Sequence, residues 1–340
     1  MEQQVVLTYH NPNVRIGFHI GKLKTIRETF EVMTPTPLRG YQLYTSNSRS
    51  YNTPKVDVAD LLEARKLLER NGKYAVQHGS LLHNLCGSVK GQADPAYQRK
   101  LEGTCRCLLG ELDVGVALGS GVVVHTGSCQ NRKFGIHSIA RSIEYVLTQP
   151  TPNAKALAKA MNISLDDFLA RRVVILENAA GEGSKLGSNL TDLADIYAEL
   201  KPAYHDQVKV CFDTAHSFGA GQYDFGLTDE VQRFYDEFEA TIGLDKLSMF
   251  HLNDSRVGFG SKKDRHENLC LGEMFRPDRG DEKDGTLGLT EFLKRAEEHK
   301  IMLIGEPPAK DKDGGAGMGG RWDYRVIRDL CPLEKDVPVC

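Results

Sequence analysis

The sequence predicts a single-domain α/β protein with a (β/α)₈ barrel, the TIM barrel fold, and three observations support this prediction. Eight short apolar runs, rich in β-branched residues, have the length and composition of buried strands. Most are followed by a segment with helical spacing, and strands that alternate with helices form parallel sheets. Six runs also end on a His, Glu or Asp. Closing a barrel would bring these ends together on one face, whereas a doubly wound open sheet would not.

The predicted elements follow one another along nearly the whole chain of 340 residues. The strands are expected at 15–20, 41–45, 74–78, 122–125, 173–177, 208–213, 247–251 and 301–306. The helices are expected at 57–71, 95–119, 136–147, 189–200, 228–242 and 290–299, with Asn189 and Thr228 as N-caps. An added turn or short helix is expected within 148–167. We therefore predict one domain over 1–340, with a barrel core at about 15–310 and a C-terminal extension at 311–340.

The composition, 40% apolar and 26% charged, is that of an ordinary globular protein. No stretch approaches the length of a membrane-spanning helix, and the N-terminus lacks the pattern of a signal peptide. The eight cysteines contain no CxxC pair, so mostly reduced thiols inside a cell are expected, although Cys331 and Cys340 could pair. We therefore expect a soluble intracellular protein, in a compartment that the sequence does not indicate.

Nine side chains with metal-binding groups stand at strand ends or in the loops that follow them. They are His78, His125, Glu177, Asp213, His216, His251, Asp264, His266 and Glu306. Imidazoles and carboxylates without thiolates suit Zn²⁺, Mn²⁺ or Fe²⁺ at a reactive site better than a structural zinc. Each residue alone is more often a hydrogen-bonded rim residue, but their shared placement favours two or three metals, with a carboxylate bridging a pair.

A multinuclear centre is suited to phosphate-ester hydrolysis, and nearby residues are suited to a polyanion. One group of polar and cationic side chains follows the seventh predicted strand, and a second group follows the second strand. The first set is Asn253, Arg256, Lys262, Lys263 and Arg265, and the second includes Asn47 and Arg49 with Tyr44 and Tyr51. The formal net charge of −3 does not exclude DNA, because three divalent ions would change it to +3.

Seven segments together resemble the endonuclease IV family, the zinc-dependent apurinic/apyrimidinic endonucleases of base-excision repair. The segments are 78–80, 125–128, 176–184, 212–221, 251–255, 260–266 and 304–307. The segments occur in the order that the family has. Among them, the Asp-Thr-x-His of 213–216 and the Asp-Arg-His of 264–266 are highly specific when both occur in one chain. Leu81 stands where the family often has an aromatic wedge residue, and Arg49 stands where it has a DNA-inserting arginine.

The resemblance implies three zinc ions per chain, with Mn²⁺ or Fe²⁺ possible at individual sites. His78 and His125 would bind the first ion, and Glu177 would bridge it to the second. The second would also be bound by Asp213, His251 and Glu306, and the third by His216, Asp264 and His266. Glu177 and Glu306 are the implied catalytic residues. The implied reaction is cleavage 5′ to an abasic site, leaving a 3′-OH and a 5′-deoxyribose phosphate, with trimming of blocked 3′ ends.

The implied partner is damaged double-stranded DNA, and a monomer that does not bind membranes is expected. Two alternatives stay open from the sequence. A metal-dependent sugar isomerase can use a similar barrel, but usually with two ions and a lysine beside them. A damage-binding protein with structural metals and no turnover is the second, although structural sites have no open coordination position.

Overall fold

A closed barrel of eight parallel strands forms the centre of the protein, as predicted. The structure is a computed structural model that describes residues 15–279, 284–308 and 321–330. The barrel strands are β1 (Arg15–His19), β2 (Gly40–Leu43), β3 (Tyr74–His78), β4 (Val122–His125), β5 (Val174–Glu177), β6 (Val208–Asp213), β7 (Leu247–His251) and β10 (Met302–Gly305). Each strand pairs with the next in this order, and β10 pairs with β1 to close the ring. The fold prediction is confirmed.

A small antiparallel hairpin lies outside the barrel and was not predicted. It pairs β8 (Asp254–Ser255) with β9 (His266–Glu267), within the connection between β7 and the last barrel strand. The two strands contribute only two residue pairs. The chain forms this hairpin before it enters the helix that precedes the last barrel strand.

The helices surround the barrel, and all six predicted helices are present. The bounds are α1 (Ile26–Met33), α2 (Val58–Arg70), α3 (Tyr97–Leu118), α4 (Arg132–Thr148), α5 (Pro152–Ala160), α6 (Leu165–Ala170), α7 (Leu190–Glu199), α8 (Thr214–Ala220), α9 (Thr228–Thr241), α10 (Gly285–Glu298) and α11 (Arg321–Leu330). Asn189 caps α7 by accepting a bond from the Asp192 N–H, as predicted. The predicted cap at Thr228 is wrong, because Thr228 is already helical and α9 begins after Leu227.

The barrel interior is filled by apolar side chains from six of the eight strands. These are Val76, Val123, Ile175, Cys211, Met249 and Ile304, all buried and packed on one another. On the remaining strands, β1 and β2, the paired glycines Gly17 and Gly40 contribute no side chain, and Gly17 has no room for one. A Cβ on Gly17 would lie 2.2 Å from the Gly40 carbonyl oxygen. The barrel is therefore a solid core that supports whatever lies at its carboxyl end.

The predicted C-terminal extension lies mostly outside the described residues, as do Cys331, Cys340 and the predicted loop at 310–320. Its described part, α11, packs against the molecule through buried Ile327 and Asp323. Asp323 accepts bonds from Asn268 and from the Leu269 N–H, 3.1 and 2.9 Å long. Within the described ranges, no helix combines the length and apolarity needed to cross a membrane.

Candidate metal centre

The carboxyl ends of the barrel strands bring the nine predicted ligands into one pocket. Five are the last residues of consecutive strands β3 to β7, and Glu306 directly follows β10. His216 lies in the first turn of α8, His266 begins β9, and Asp264 lies two residues before it. The parallel register aligns these ends, since His125 pairs with Glu177 and Asp213 with His251. Barrel closure thus assembles residues that are far apart in sequence.

Glu177 lies at the middle of the pocket and is almost completely buried. Its Oε2 is 3.2 Å from His78 Nε2 and 3.4 Å from His125 Nδ1. Its Oε1 is 2.9 Å from His251 Nδ1 and 3.5 Å from His216 Nδ1. One carboxylate oxygen therefore faces the first predicted pair, and the other faces His251 of the second group and His216 of the third. This is the placement that a carboxylate bridging two ions requires.

Asp213 connects the second predicted ligand group to the third. His216 Nε2 is 3.2 Å from Asp264 Oδ2, and His266 Nε2 is 3.3 Å from Asp264 Oδ1. Asp213 Oδ2 lies 3.6 Å from His266 Nε2 and 3.8 Å from His251 Nδ1. The ligand atoms of Asp213 therefore face both groups, whereas the family resemblance implied the second alone.

Hydrogen bonds orient the imidazoles so that one nitrogen faces the pocket. In three of them, Nδ1–H donates to a backbone carbonyl, which leaves the Nε2 lone pair directed inward. The carbonyls belong to Gly79 for His78 (2.8 Å), Asn178 for His216 (2.9 Å) and Glu306 for His266 (3.2 Å). His251 has the opposite orientation, because its Nε2–H donates to Gln42 Oε1 over 2.8 Å and its Nδ1 faces Glu177.

A metal cation fits this pocket, and His266 shows why. Its Nε2 is buried and has no hydrogen-bond partner among the described residues. Because Nδ1–H donates to a carbonyl, Nε2 presents a lone pair to the carboxylates of Asp213 and Asp264. A buried lone pair facing two anions is unfavourable, and a cation between them would remove the repulsion.

Metal binding requires ionised carboxylates and neutral imidazoles. The pKa shifts of the carboxylates meet the first requirement, and that of His125 meets the second. At His78, His216 and His251, neighbouring acidic groups outweigh burial and raise the pKa, so these imidazoles would have to release a proton when an ion binds. Burial raises the pKa of Glu177, but the imidazoles of His125 and His251 outweigh it and hold this pKa well below its ordinary value. The pKa of Glu306 is likewise lowered, because His251 and His19 outweigh its burial. Burial lowers the pKa of His125 to about 4, against the opposing effect of Glu177.

Two residues that the sequence reasoning missed contact Glu306. Gln42 donates from Nε2 to Glu306 Oε1 over 2.6 Å while its Oε1 accepts from His251. His19 Nδ1 lies 3.4 Å from the same carboxylate oxygen. His19 ends β1, so the strand-end pattern could have found it. Gln42 lies inside β2, and its sequence position gave no sign that it faces the pocket.

Asn253, predicted as a DNA contact, is buried and bonded to two of the proposed ligand residues. Its Nδ2 donates to Asp213 Oδ2 over 2.7 Å, and its Oδ1 accepts the Glu306 N–H over 2.8 Å. Both ends of the amide are therefore occupied inside the protein. Asn253 therefore orients two of the proposed ligand residues, and its contact with DNA stays a prediction.

The predicted DNA contacts near β2 and β3 lie on the surface beside the pocket. Asn47 and Arg49 are exposed in the loop after β2, and Leu81 is exposed after β3. Leu82, which was not predicted, is also exposed, by 40% against 43% for Leu81. Two adjacent large apolar side chains at a polar rim are unusual for a surface that contacts only water.

The cationic residues after β7 are exposed as well. Arg256, Lys262, Lys263 and Arg265 all lie on the surface of the segment that connects β8 to β9. Arg256 forms an ion pair with Glu267, with 3.0 Å between Nε and Oε2. The Lys262 N–H donates to the Gly219 carbonyl over 2.8 Å, which holds this segment against the end of α8.

A separate group of metal-capable side chains, His83, Cys107 and Glu111, lies beneath the loops after β2 and β3. All three are buried. Cys107 lies two residues after Cys105 on α3, and both thiols are buried. His83 was ambiguous in the sequence because it lies near His78. In the structure its Nε2 is 2.7 Å from Glu111 Oε2.

Comparison with known proteins agrees with the sequence resemblance. Residues 36–302 match the family described as xylose isomerase-like TIM barrel. A protein of Acanthamoeba polyphaga mimivirus assigned as endonuclease 4 is 30% identical over 297 residues, 86% of this chain and 85% of that protein. One of Citrifermentans bemidjiense with the same assignment is 32% identical over 266 residues, 76% of this chain and 83% of that protein.

A solved structure extends the agreement to three dimensions. The crystal structure of endonuclease IV from Thermus thermophilus matches with a TM-score of 0.69 and 25% identity. The match covers 93% of this chain and 98% of that one. It therefore includes the barrel and the loops at its carboxyl end. The family matches, the solved structure and the nine converging side chains lead to one conclusion: the chain belongs to the endonuclease IV family.

Proposed function

We propose that this protein is a metal-dependent endonuclease of DNA repair that cleaves damaged duplex DNA 5′ to abasic sites. The observation that carries the proposal is the single pocket of nine imidazoles and carboxylates centred on Glu177. Family membership with proteins assigned as endonuclease 4 supports the same activity. The products would be a 3′-OH and a 5′-deoxyribose phosphate, and blocked 3′ ends would also be trimmed.

Zinc is the proposed metal, with three ions per chain, and Mn²⁺ or Fe²⁺ are alternatives that the same donors accept. His78, His125 and Glu177 would hold one ion, and Glu177, Asp213, His251 and Glu306 a second. His216, Asp264 and His266 would hold the third. When bound, such ions supply Lewis-acid activation of water and of the phosphate oxygens.

The protein's own residues would bind and orient the scissile phosphate at this centre. Glu177 separates two ligand groups by the width of one carboxylate, which suits ions that share a substrate. Gln42 donates a hydrogen bond to Glu306, and Asn253 donates one to Asp213. These bonds fix the positions of the two carboxylates in the pocket. The wall of the pocket therefore needs little rearrangement to accept a phosphodiester.

The exposed residues beside the pocket would position the duplex. Arg49, Leu81 and Leu82 form an exposed surface, here called the crown, with Asn47 beside it. This surface could enter a groove of the duplex next to the damage. The second surface would meet backbone phosphates through Arg256, Lys262, Lys263 and Arg265. Because every ligand comes from one chain, we expect the protein to act as a monomer, within the cell and without a membrane.

A sugar isomerase is the second candidate, because the matching family is described as xylose isomerase-like. It would need two ions and would leave the triad of His216, Asp264 and His266 without a role. The orphaned His266 Nε2 favours a third ion and therefore the nuclease. A binding protein without turnover is disfavoured by the exposure of part of the ligand set, since His125 is 22% exposed.

The test uses a duplex with one abasic analogue, incubated with the protein with and without a chelator. We expect a single cut 5′ to the lesion, a 3′-OH end, and loss of cutting when metal is removed. Metal content measured on the same protein should be three zinc ions per chain. Two Mg²⁺ or Mn²⁺ ions together with sugar turnover would support the isomerase instead.

Glu306→Gln tests the role of the centre within the same assay. The substitution removes a charged ligand with little change of shape, so we expect incision to fall by at least about 100-fold while binding to abasic duplex is retained. Glu267→Gln is the matched control, because Glu267 is a rim carboxylate paired with Arg256 that is not a ligand. It should change incision by less than about fivefold, given what exposed ion pairs contribute. Unchanged incision in Glu306→Gln would contradict the mechanism.

A further inference from the structure

Glu111 is a buried carboxylate on α3 whose hydrogen-bond donors come from three other places in the chain. Its Oε1 accepts from Ser46 Oγ and from the Ser80 N–H, each over 3.1 Å. Its Oε2 accepts from His83 Nε2 over 2.7 Å. Cys107, one turn earlier on α3, lies 3.6 Å from Oε1 through its Sγ. The side chain therefore joins the loop after β2 to the loop after β3.

The two loops are also bonded directly to each other above Glu111. Ser80 Oγ donates to the carbonyls of Ser48 and Ser50, over 3.2 and 2.8 Å. The Leu81 N–H donates to the Ser48 carbonyl over 2.8 Å. Ser48 and Ser50 flank Arg49 in the chain, and Ser80 precedes the exposed leucines. The crown of Arg49, Leu81 and Leu82 is therefore built on backbone that these bonds hold.

Groups of α3 other than the Glu111 carboxylate also hold the loop after β2. Gln77 Nε2 donates to the Glu111 carbonyl over 3.1 Å, and Thr45 Oγ1 donates to Gln77 Oε1 over 2.7 Å. Cys107 Sγ donates to the Asn52 carbonyl over 3.3 Å. The first loop is thus fastened to α3 at both ends, while Ser46 fastens it to Glu111 in the middle.

We propose that Glu111, oriented by His83, is a positioning residue that sets the crown of Arg49, Leu81 and Leu82 relative to the metal centre. The inference rests on the proposed function for its consequence, because the crown matters only if it meets DNA. His78 ends the strand that leads to Ser80, so the Ser80 bond sets the distance between a ligand and the crown. Glu111 is almost completely buried, and in the part of the chain that the structure describes its carboxylate bonds Ser46, Ser80, His83 and Cys107 and no ligand side chain.

The same three side chains, His83, Cys107 and Glu111, could in principle hold a metal ion. The hydrogen bonds favour Glu111 as an anchor, meaning a residue that holds the two loops by hydrogen bonds alone, without an ion. Both carboxylate oxygens already accept from protein donors, and the Ser80 N–H cannot move without moving the loop. An ion between the three would have to displace these donors. A metal at this place is therefore the competing outcome that the experiment must separate.

The experiment compares Glu111→Gln with Asp113→Asn in the full-length zinc-loaded protein. Asp113 is a matched control, because it is a buried carboxylate on the same helix whose partners are Arg172 and Thr151, away from both loops. For Glu111→Gln we expect the KM for abasic duplex to rise about tenfold, the effect of losing one charge-assisted hydrogen bond, with kcat and zinc content unchanged. Asp113→Asn should lower the melting temperature and leave KM unchanged.

A second pair of variants keeps the test valid if Glu111→Gln does not fold. His83→Leu removes the donor to Glu111, whereas His83→Gln retains an N–H near the position of Nε2. We expect His83→Leu to raise KM as Glu111→Gln does, and His83→Gln to restore it. Equal KM values in Glu111→Gln and Asp113→Asn would overturn the inference. Zinc lost specifically from His83→Leu and Cys107→Ser would also overturn it, in favour of a metal site.

Amide hydrogen exchange separates this inference from the proposed function, since it needs no substrate. Exchange at Ser80, Leu81 and the segment 46–51 should accelerate in Glu111→Gln and stay at the wild-type rate in Asp113→Asn. If the wild-type protein did not cut abasic DNA, the proposed function would fail while this measurement would still report on the anchor. Unchanged exchange in Glu111→Gln would show that Glu111 does not hold the loops.

Discussion

Gln42 offers the sharpest test of how the barrel prepares the metal centre. The side chain is fully buried and lies between two proposed ligands, accepting from His251 Nε2 and donating to Glu306 Oε1. Gln42→Leu keeps the side-chain size and removes both bonds, together with the 3.1 Å contact between Gln42 Nε2 and His19 Nδ1. His251 would then have a buried N–H without an acceptor, and Glu306 Oε1 would lose the hydrogen bond that Gln42 donates to it.

The expected magnitude follows from these two bonds. The bond to the Glu306 carboxylate is worth about 1.5–3 kcal/mol, because it involves a charged group, and the bond to the His251 imidazole about 0.5–1.5 kcal/mol. The two share one side chain, so their energies are not additive. Loss of a residue that orients a metal ligand typically weakens metal binding by about 10–100-fold, which is about 1.4–2.7 kcal/mol. We expect Gln42→Leu to weaken zinc binding within this range.

The assay is zinc affinity, measured by competition with a chelator of known affinity, together with the incision rate at saturating zinc. Gln77→Leu is the matched control, because Gln77 is an equally buried glutamine on the neighbouring strand. Its amide bonds Thr45 and the Glu111 carbonyl and does not reach a ligand. Both variants should lose stability, but only Gln42→Leu should lose zinc affinity. Equal zinc affinity in the two variants would refute the reasoning.

Two further predictions concern stability away from the centre. Arg172→Met should lower the free energy of unfolding by about 3–5 kcal/mol, because it leaves Asp113 buried without its 2.7 Å partner; urea unfolding measures this, and a loss below about 1 kcal/mol would contradict it. Burial lowers the pKa of Lys73 from 10.5 to about 8, so the unfolded chain binds more protons between these values and stability from this group should rise with pH from about 8 to 10.5. The free energy of unfolding of Lys73→Met, measured across this pH range, should lack that rise. If the wild-type protein and Lys73→Met changed with pH in the same way, the prediction would be wrong.

The barrel and the convergence of nine metal-capable side chains at its carboxyl end could be predicted because both follow from short-range patterns. Apolar runs identify strands, and a polar residue at the end of a run is visible without knowledge of the fold. His78 and Glu306 lie 228 residues apart but were predicted together, since barrel closure supplies the proximity.

The residues that support the ligands could not be predicted in the same way. Gln42 lies within a strand where either face was open to it, and the twist of the closed sheet decides which side it faces. Asn253 follows a strand end and has the sequence character of a rim residue. It is buried because the chain turns back there to form the hairpin of β8 and β9, and two-residue strands leave no pattern in the sequence.

The hairpin makes the third ligand group different in kind from the other two. Asp264 and His266 stand on a short excursion above the barrel, whereas the remaining acids and most of the imidazoles stand on its strands. Shortening that excursion would delete two ligands and leave the barrel's hydrogen-bonded ladder intact. Deleting one loop would therefore remove the proposed third site alone, which gives protein engineers a direct way to ask what an ion at that site adds.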